Sequence, residues 1–343
     1  MRRELIATVA LFVAMALVVA PPACAQSLPT LDEASALLKK AIDTTNLKAP
    51  GGPPFHLIAK IHYALDDKTA DGKYEILYAA PDRYRVQLQL DGVGETDVAL
   101  GDKLYVARET PTLTYPFWSI REFLWEPGWP FLGADPKATR VYTSKAGTEV
   151  RPCLQAEGEE AVSKQVCFDA ATHAVVSIHV AGNPLMADPE TVRFENNLDD
   201  FIDLGPIRYP RHLLKRFFSE TIEATVERLD SVDKFSDDAF SVPPNAHVRD
   251  WCASPVLENE AKFPAPRHPT DPWLRTKDFI AFYLLVRKDG YVKNILMLHS
   301  SGNARTDRVF ATVTKNGRYV TDLCGGKAIE YETVALREAP GRP

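Results

Sequence analysis

The octapeptide Arg83-Tyr-Arg-Val-Gln-Leu-Gln-Leu90 places Tyr84, Val86, Leu88 and Leu90 on one side of an extended chain and Arg83, Arg85, Gln87 and Gln89 on the other. A period of two over eight residues predicts a strand with one apolar and one wet face, as in an antiparallel sheet. Upstream, PFHLIAKIHYAL (54–65) sets Phe55, Leu57, Ala59, Ile61 and Tyr63 against His56, Lys60 and His62, with GKYEILYA (72–79) between the two runs. TDVAL (96–100) and KLYVA (103–107) follow. Before the strands, residues 31–46 carry Leu31, Ala34, Leu37, Leu38 and Ile42 at the spacing of an amphipathic helix.

Residues 115–132, YPFWSIREFLWEPGWPFL, break the alternation. They concentrate Phe117, Trp118, Phe123, Leu124, Trp125, Trp129 and Phe131, including three of the five tryptophans. A helix or bent loop laid over the open sheet is expected. It either caps a core or lids an apolar cavity, because bound ligands are usually held by apolar and aromatic walls. Strand patterns resume at 148–156, 163–182, 190–217 and 220–235, ending at FSVPPNA (240–246), with a turn expected at 169–172.

The amino terminus sets the compartment. Arg2 and Arg3 precede a 16-residue apolar run, Leu5–Ala20, then Pro21, Pro22 and Ala23-Cys24-Ala25. This is the order of a secretory signal peptide, with cleavage expected after Ala25. The run is shorter than the roughly 20 residues that span a bilayer, and an uncleaved inner-membrane anchor is the rival reading. Pro21 and Pro22 speak against lipidation of Cys24. A periplasmic protein follows. Its 343 residues are enough for two domains. The net charge of −6 gives no sign of a nucleic-acid partner.

Beyond residue 25 four cysteines remain, Cys153, Cys167, Cys252 and Cys324. An even number in an exported chain reads as disulfides. Of three possible pairings, Cys153–Cys167 with Cys252–Cys324 keeps each bridge within one expected domain. Loop entropy then assigns about 3 kcal/mol to the short link and about 4.5 to the long one. Residues 253–275 hold five prolines and no periodicity, so a semi-rigid linker is expected over 251–275.

After the linker, VRKDGYVKNILMLHSSG (286–302) gives two apolar runs around an Asp289-Gly290 turn. A helix is expected over about 304–316, with Gly317 as its left-handed cap, and AIEYETVAL (328–336) forms the third strand. In that strand Glu330 and Glu332 alternate with Ile329, Tyr331 and Thr333, which predicts one packed face and one wet face.

Two resemblances cover most of the chain. The order of helix, short strands, aromatic interruption, VCFDAATHAVVSIHV (166–180), RFENNLDDFIDLGPIRYPRHL (193–213) and DDAFSVPPNA (237–246) resembles the LolA/LolB lipoprotein-carrier type over about 30–247. It implies a curved, incompletely closed antiparallel half-barrel with a helical lid, and a lipid or acyl chain as ligand. Val286, Asp289, Gly290, Val292, Ser300, Ser301, Gly302 and Asp307 resemble the TonB C-terminal domain family over about 263–338. That implies a small β-β-α-β domain which recruits an envelope protein or outer-membrane receptor segment by strand addition, here along Ile329, Tyr331 and Thr333. Tyr319-Val320-Thr321 departs from the family by lacking a proline, and Cys324 sits in the turn before the last strand.

Other chemistry is weakly supported. Ser300 follows His299 directly, and strand neighbours point to opposite faces, so no nucleophile–base pair is expected. His56 and His62, like His173 and His179, are six residues apart, roughly 20 Å along a strand, too far to share one ion. Asp199, Asp200 and Asp203 lack calcium-loop spacing. No zinc-protease, phosphate-loop or dinucleotide motif occurs. The expectation is therefore a non-enzymatic α+β protein without metal or cofactor: 1–25 signal peptide, 26–250 carrier-like sheet domain, 251–275 linker, 276–343 TonB-like domain. The main reading is a partner-binding protein of the envelope, and the alternative is a lipid or lipoprotein carrier.

Overall fold

The structure is a computed structural model that describes residues 29–48, 51–109, 115–127, 137–146, 149–157, 163–169, 171–181, 192–252, 256–257, 279–319 and 322–338. The expected signal segment, most of the linker, and Trp129 and Phe131 lie outside the described residues. Among those described, no helix is long and apolar enough to cross a membrane.

Helix α1 (Leu31–Thr45) starts at a capping box: Glu33 N donates to Thr30 Oγ1 and Thr30 N to the Glu33 carboxylate. Two meanders follow. The first is β1 (Phe55–Leu65), β2 (Lys68–Ala80), β3 (Arg83–Leu90), β4 (Val93–Leu100) and β5 (Lys103–Arg108). Helix α2 (Tyr115–Trp125) then leads to β6 (Lys137–Ala146), β7 (Glu149–Glu157), β8 (Ser163–Phe168), β9 (Val175–Ala181), β10 (Val192–Leu204), β11 (Ile207–Phe217) and β12 (Glu220–Ser231). Strand β12 returns to pair antiparallel with β1, Ile61 opposite Ala224. The two meanders, with β13 (His247–Asp250) added antiparallel to β5, thereby form one 13-stranded sheet whose outer strands are β6 and β13. It is open, in keeping with a half-barrel.

Alternation sets the faces. Tyr84, Val86 and Leu88 of β3 stand opposite Ala99, Asp97 and Glu95 of β4, and all are buried. The same inner face carries Leu57, Ala59 and Ile61 on one side and Leu213, Ile222 and Ala224 on the other. Both helices lie against it. Ser35 of α1 accepts from Ala138 N at 2.9 Å, and Leu47 N donates to Trp125 O at 3.1 Å, joining the two helix ends. Gly72 is needed where β2 passes β3, since a Cβ there would come within 2.0 Å of Gln89 O.

The C-terminal unit orders β15 (Phe279–Val286), β16 (Val292–His299), α3 (Ala304–Lys315) and β19 (Tyr331–Glu338) as strand, strand, helix, strand, in the sheet order β16-β15-β19. A smaller sheet of β14 (Val256–Leu257), β17 (Asp322–Cys324) and β18 (Lys327–Ala328) lies beside it. Its first strand falls where only a linker is expected from the sequence. At the hairpin, Gly290 has φ +80°, and a Cβ there would meet Tyr319 O at 2.3 Å. The expected left-handed cap at Gly317 is absent. Instead the helix ends with Asn316 in right-handed geometry and Gly317 N donating to Thr314 O.

Both disulfides form as paired in the sequence reading. Cys153 and Cys167 face each other across β7 and β8, with Cα atoms 4.0 Å apart. Cys252 and Cys324, 5.6 Å between Cα atoms, are not confined to one structural unit. Cys252 directly follows the edge strand β13, so the bridge ties the large sheet to the C-terminal unit.

Candidate functional site

Helix α2 is the element on which both sheets converge. Phe117, Ile120, Phe123, Leu124 and Trp125 are buried against the inner face of the large sheet. Trp125 meets Tyr84 edge-on at 4.8 Å and Tyr78 at 5.9 Å. The helix is fastened by polar groups. Tyr115 Oη and Ser119 Oγ donate to Glu220 Oε2 at 3.0 and 2.9 Å, and Arg121 Nη1 donates to Asp97 Oδ2 at 3.2 Å. Tyr209 Oη donates to Leu124 O, and Asn196 Nδ2 to Pro127 O at 2.7 Å. None of these contacts is a strand ladder bond.

The opposite side of α2 meets the C-terminal sheet. Tyr115 and Trp118 lie 5.4 and 5.5 Å from the Tyr283 ring, in a cluster with Ala281 and Leu298. Strand β15 is therefore buried on both faces: Ile280, Phe282, Leu284 and Val286 join the cluster that includes Phe310 of α3, while Ala281 and Tyr283 face α2.

Beside this contact Glu332 of β19 enters a group of three arginines. Arg249 Nη1 lies 3.2 Å from Oε1 and Arg249 Nη2 donates to Oε2 at 3.4 Å. Arg108 Nη2 lies 3.3 Å from Oε1, and Arg121 Nη2 3.5 Å from Oε2. Burial alone would raise the Glu332 carboxyl, but Arg249, Arg121 and Arg108 outweigh it and hold it down to about 2. Glu95 and Asp97, buried next to one another, are pushed upward by burial despite Arg108 and Arg121.

The alternation of Glu330 and Glu332 against Ile329, Tyr331 and Thr333 does not leave a wet face, which corrects the expectation from the sequence. The Glu332 side chain is 4% exposed, because the apolar face of β15 demands cover on the side that β19 shares with it. Glu330 pairs with Lys293 at 3.2 Å. Tyr331 packs with the α3 cluster, and Ile329 is buried just before the strand.

The side chains weighed for chemistry in the sequence make structural contacts. Ser300 and Ser301 both donate to the Asp307 carboxylate, Ser301 Oγ at 2.7 Å and Ser301 N at 2.9 Å, and Asn303 caps the helix. Burial opposes these bonds, yet they keep Asp307 low. His299 stacks on Phe218 at 5.1 Å. His56 and His62 each face a cross-strand acid, Glu75 and Asp71, at 2.7 Å, while Asp199, Asp200 and Asp203 pair with His212, Arg211 and Arg208. Asp169 takes hydrogen bonds from Ala171 N, Thr172 N and Thr172 Oγ1, closing the expected turn. Lys215 approaches Ser119 Oγ at 2.6 Å, but Glu220 at 3.0 Å pairs its ammonium. This lysine is part of the helix anchor.

Two cavities among the described residues lie away from α2. One of about 280 Å³ sits on the outer face among Arg151, Asp169, Asn197, Asp199 and Arg208. The other, about 180 Å³, is walled by Arg83, Lys234, Phe235 and Phe240. Phe117, Phe123, Leu124 and Trp125 fill the inner face, and Trp118 points to the C-terminal sheet. Arg108, Arg121 and Arg249 were not singled out in the sequence, and Glu332 was read there as part of a wet face. The available signal was Phe279–Val286, an eight-residue apolar run without alternation, which marks a strand covered on both faces.

No family model and no curated protein matches the chain. Among solved structures, a LolA superfamily protein from Nitrosomonas europaea is similar with a TM-score of 0.40 and 14% identity, over 61% of this chain and 97% of its own. A putative outer membrane lipoprotein-sorting protein domain from Vibrio parahaemolyticus gives 0.39 and 10%, over 62% and 97%. The resemblance of residues 263–338 to TonB C-terminal domains has no counterpart in these matches.

Proposed function

We propose that this protein is a periplasmic carrier that binds a lipid or acyl chain on the inner face of the large sheet, with α2 as the plug that the ligand displaces. The observation that carries the reading is how α2 is held. It covers the apolar inner face but contributes no strand, so its departure leaves every ladder bond of the 13-stranded sheet intact. The surface it would uncover, with Tyr74, Tyr78 and Tyr84 beneath Phe117 and Trp125 and with Ile76 and Val86 in the same core cluster, is largely apolar and suited to a hydrocarbon chain. Burial of about one CH₂ at a time contributes about 0.8 kcal/mol each, so a long acyl chain can offset the loss of the aromatic contacts. Organic extraction of protein purified from the periplasm, followed by mass spectrometry, tests it. A stoichiometric lipid is expected. Lipid-free protein that also fails to take up oleate overturns the reading.

A second reading keeps the C-terminal unit as a partner-binding module of TonB-like type. What favours it is an exposed apolar outer strand: Leu296 and Met297 of β16 are 40% and 38% exposed. An unpaired strand edge invites an added strand. Pull-down of envelope proteins with the full chain, with and without Leu296→Lys and Met297→Lys, checks this. Identical captures by both forms, or none by either, discard it.

A further inference from the structure

Three guanidiniums from three separate elements, Arg108 on β5, Arg121 on α2 and Arg249 on β13, meet at one carboxylate delivered by the C-terminal unit. Arg108 and Arg121 have acids within the large-sheet unit, Glu95 at 2.8 Å and Asp97 at 3.2 Å. Arg249 differs. Among the described residues its ion-pair partner is Glu332, engaged through both Nη atoms. Beside the middle of the plug helix the large-sheet unit thus presents three guanidiniums; Arg121 also pairs with Glu122 at 3.1 Å, and Arg249, among the described residues, has no ion-paired acid within that unit. Two buried phenol oxygens, Tyr84 Oη and Tyr283 Oη, have no protein hydrogen-bond partner. Both phenols sit in the field of Arg121 and Arg249. A phosphate carries more acceptor oxygens than a carboxylate and can serve more donors around the three guanidiniums.

We propose that Arg108, Arg121 and Arg249 form an anion socket for the phosphate head group of an amphiphile, and that Glu332 occupies it as an internal stand-in when no ligand is bound. The proposal deepens the carrier reading and rests on it for the apolar half of the ligand. Arg121 belongs to the plug and Glu332 to the unit seated on the plug, so displacement of Glu332 loosens both at once. The head group thereby couples its own binding to uncovering the inner face.

Isothermal titration of the full chain and its Glu332→Ala variant with inorganic phosphate and with monodecyl phosphate below its micelle concentration tests this. The variant is expected to bind both at least tenfold more tightly than the natural chain, and Arg249→Gln added to it should remove the gain. Decyl phosphate binding no better than phosphate keeps the socket but removes the carrier reading, so the two ideas fail separately. Equal affinities of variant and natural chain overturn the socket. Should Glu332→Ala not fold, hydrogen exchange on the natural chain decides: 50 mM phosphate should speed exchange of the 331–335 amides at least fivefold over chloride of equal ionic strength. Unchanged exchange overturns the proposal.

Discussion

Glu332 and Arg249 meet across the junction of the two sheets, with Arg249 Nη1 3.2 Å from Glu332 Oε1 and the two side chains 4% and 17% exposed. Removing one partner of a buried pair strands the other, which costs about 3–5 kcal/mol. Glu332→Gln is therefore expected to lower the urea-unfolding free energy by about that amount. Glu95→Gln should cost less, since burial pushes the Glu95 carboxyl upward against the pull of Arg108. Equal losses in the two variants would mean that the arginines do not distinguish the acids.

The same pair sets an acid limit. The Glu332 carboxyl is held at about 2, against an ordinary 4.5, so the folded state binds fewer protons than the unfolded one. Its contribution is complete above about pH 5 and is lost as pH falls toward 2, roughly 3 kcal/mol in all. Urea midpoints between pH 6 and pH 3 should fall more steeply for the natural chain than for Glu332→Gln. Asp250, also lowered to about 2, acts in both proteins and cancels in the difference.

The Cys252–Cys324 bridge closes the longer loop, with a separation of 72 residues against 14 for Cys153–Cys167. Loop entropy assigns it about 4.5 kcal/mol and the shorter bridge about 3. Cys252→Ser with Cys324→Ser should lower stability more than the Cys153/Cys167 pair does. It should also release the C-terminal unit from limited proteolysis first, read as an early fragment ending near residue 252.

Trp125 and Trp118 divide the two sides of α2. Trp125 is 3% exposed beneath the helix, and Trp125→Ala is expected to cost about 3–5 kcal/mol of stability. Trp118 is only partly buried and touches Tyr283. Its alanine variant should lose less stability and should raise the uptake of a fluorescent fatty acid, because it weakens the cover and not the sheet. Unchanged uptake would place Trp118 outside the opening step.

Much of the fold was legible because strand alternation is a local signal. Tyr84, Val86 and Leu88 face inward as their spacing requires, and the Asp289-Gly290 turn is written in adjacent residues. The closure of β12 on β1 was not legible, since it joins residues about 170 apart in the chain through contacts no local pattern encodes. Glu332 was misread for a related reason. On its own strand it alternates like a solvated residue, and only Arg108, Arg121 and Arg249, from three distant segments, make burial possible. The aromatic segment was recognised as a cover for the sheet, but that it is itself covered by β15 depends on tertiary packing.

The most direct test is hydrogen exchange across Tyr115–Trp125 with and without saturating oleate. If the ligand takes the place of the plug, the amides of α2 should lose at least tenfold in protection while those of β2 and β3 keep theirs. Saturation with oleate while α2 retains full protection would contradict displacement of the plug.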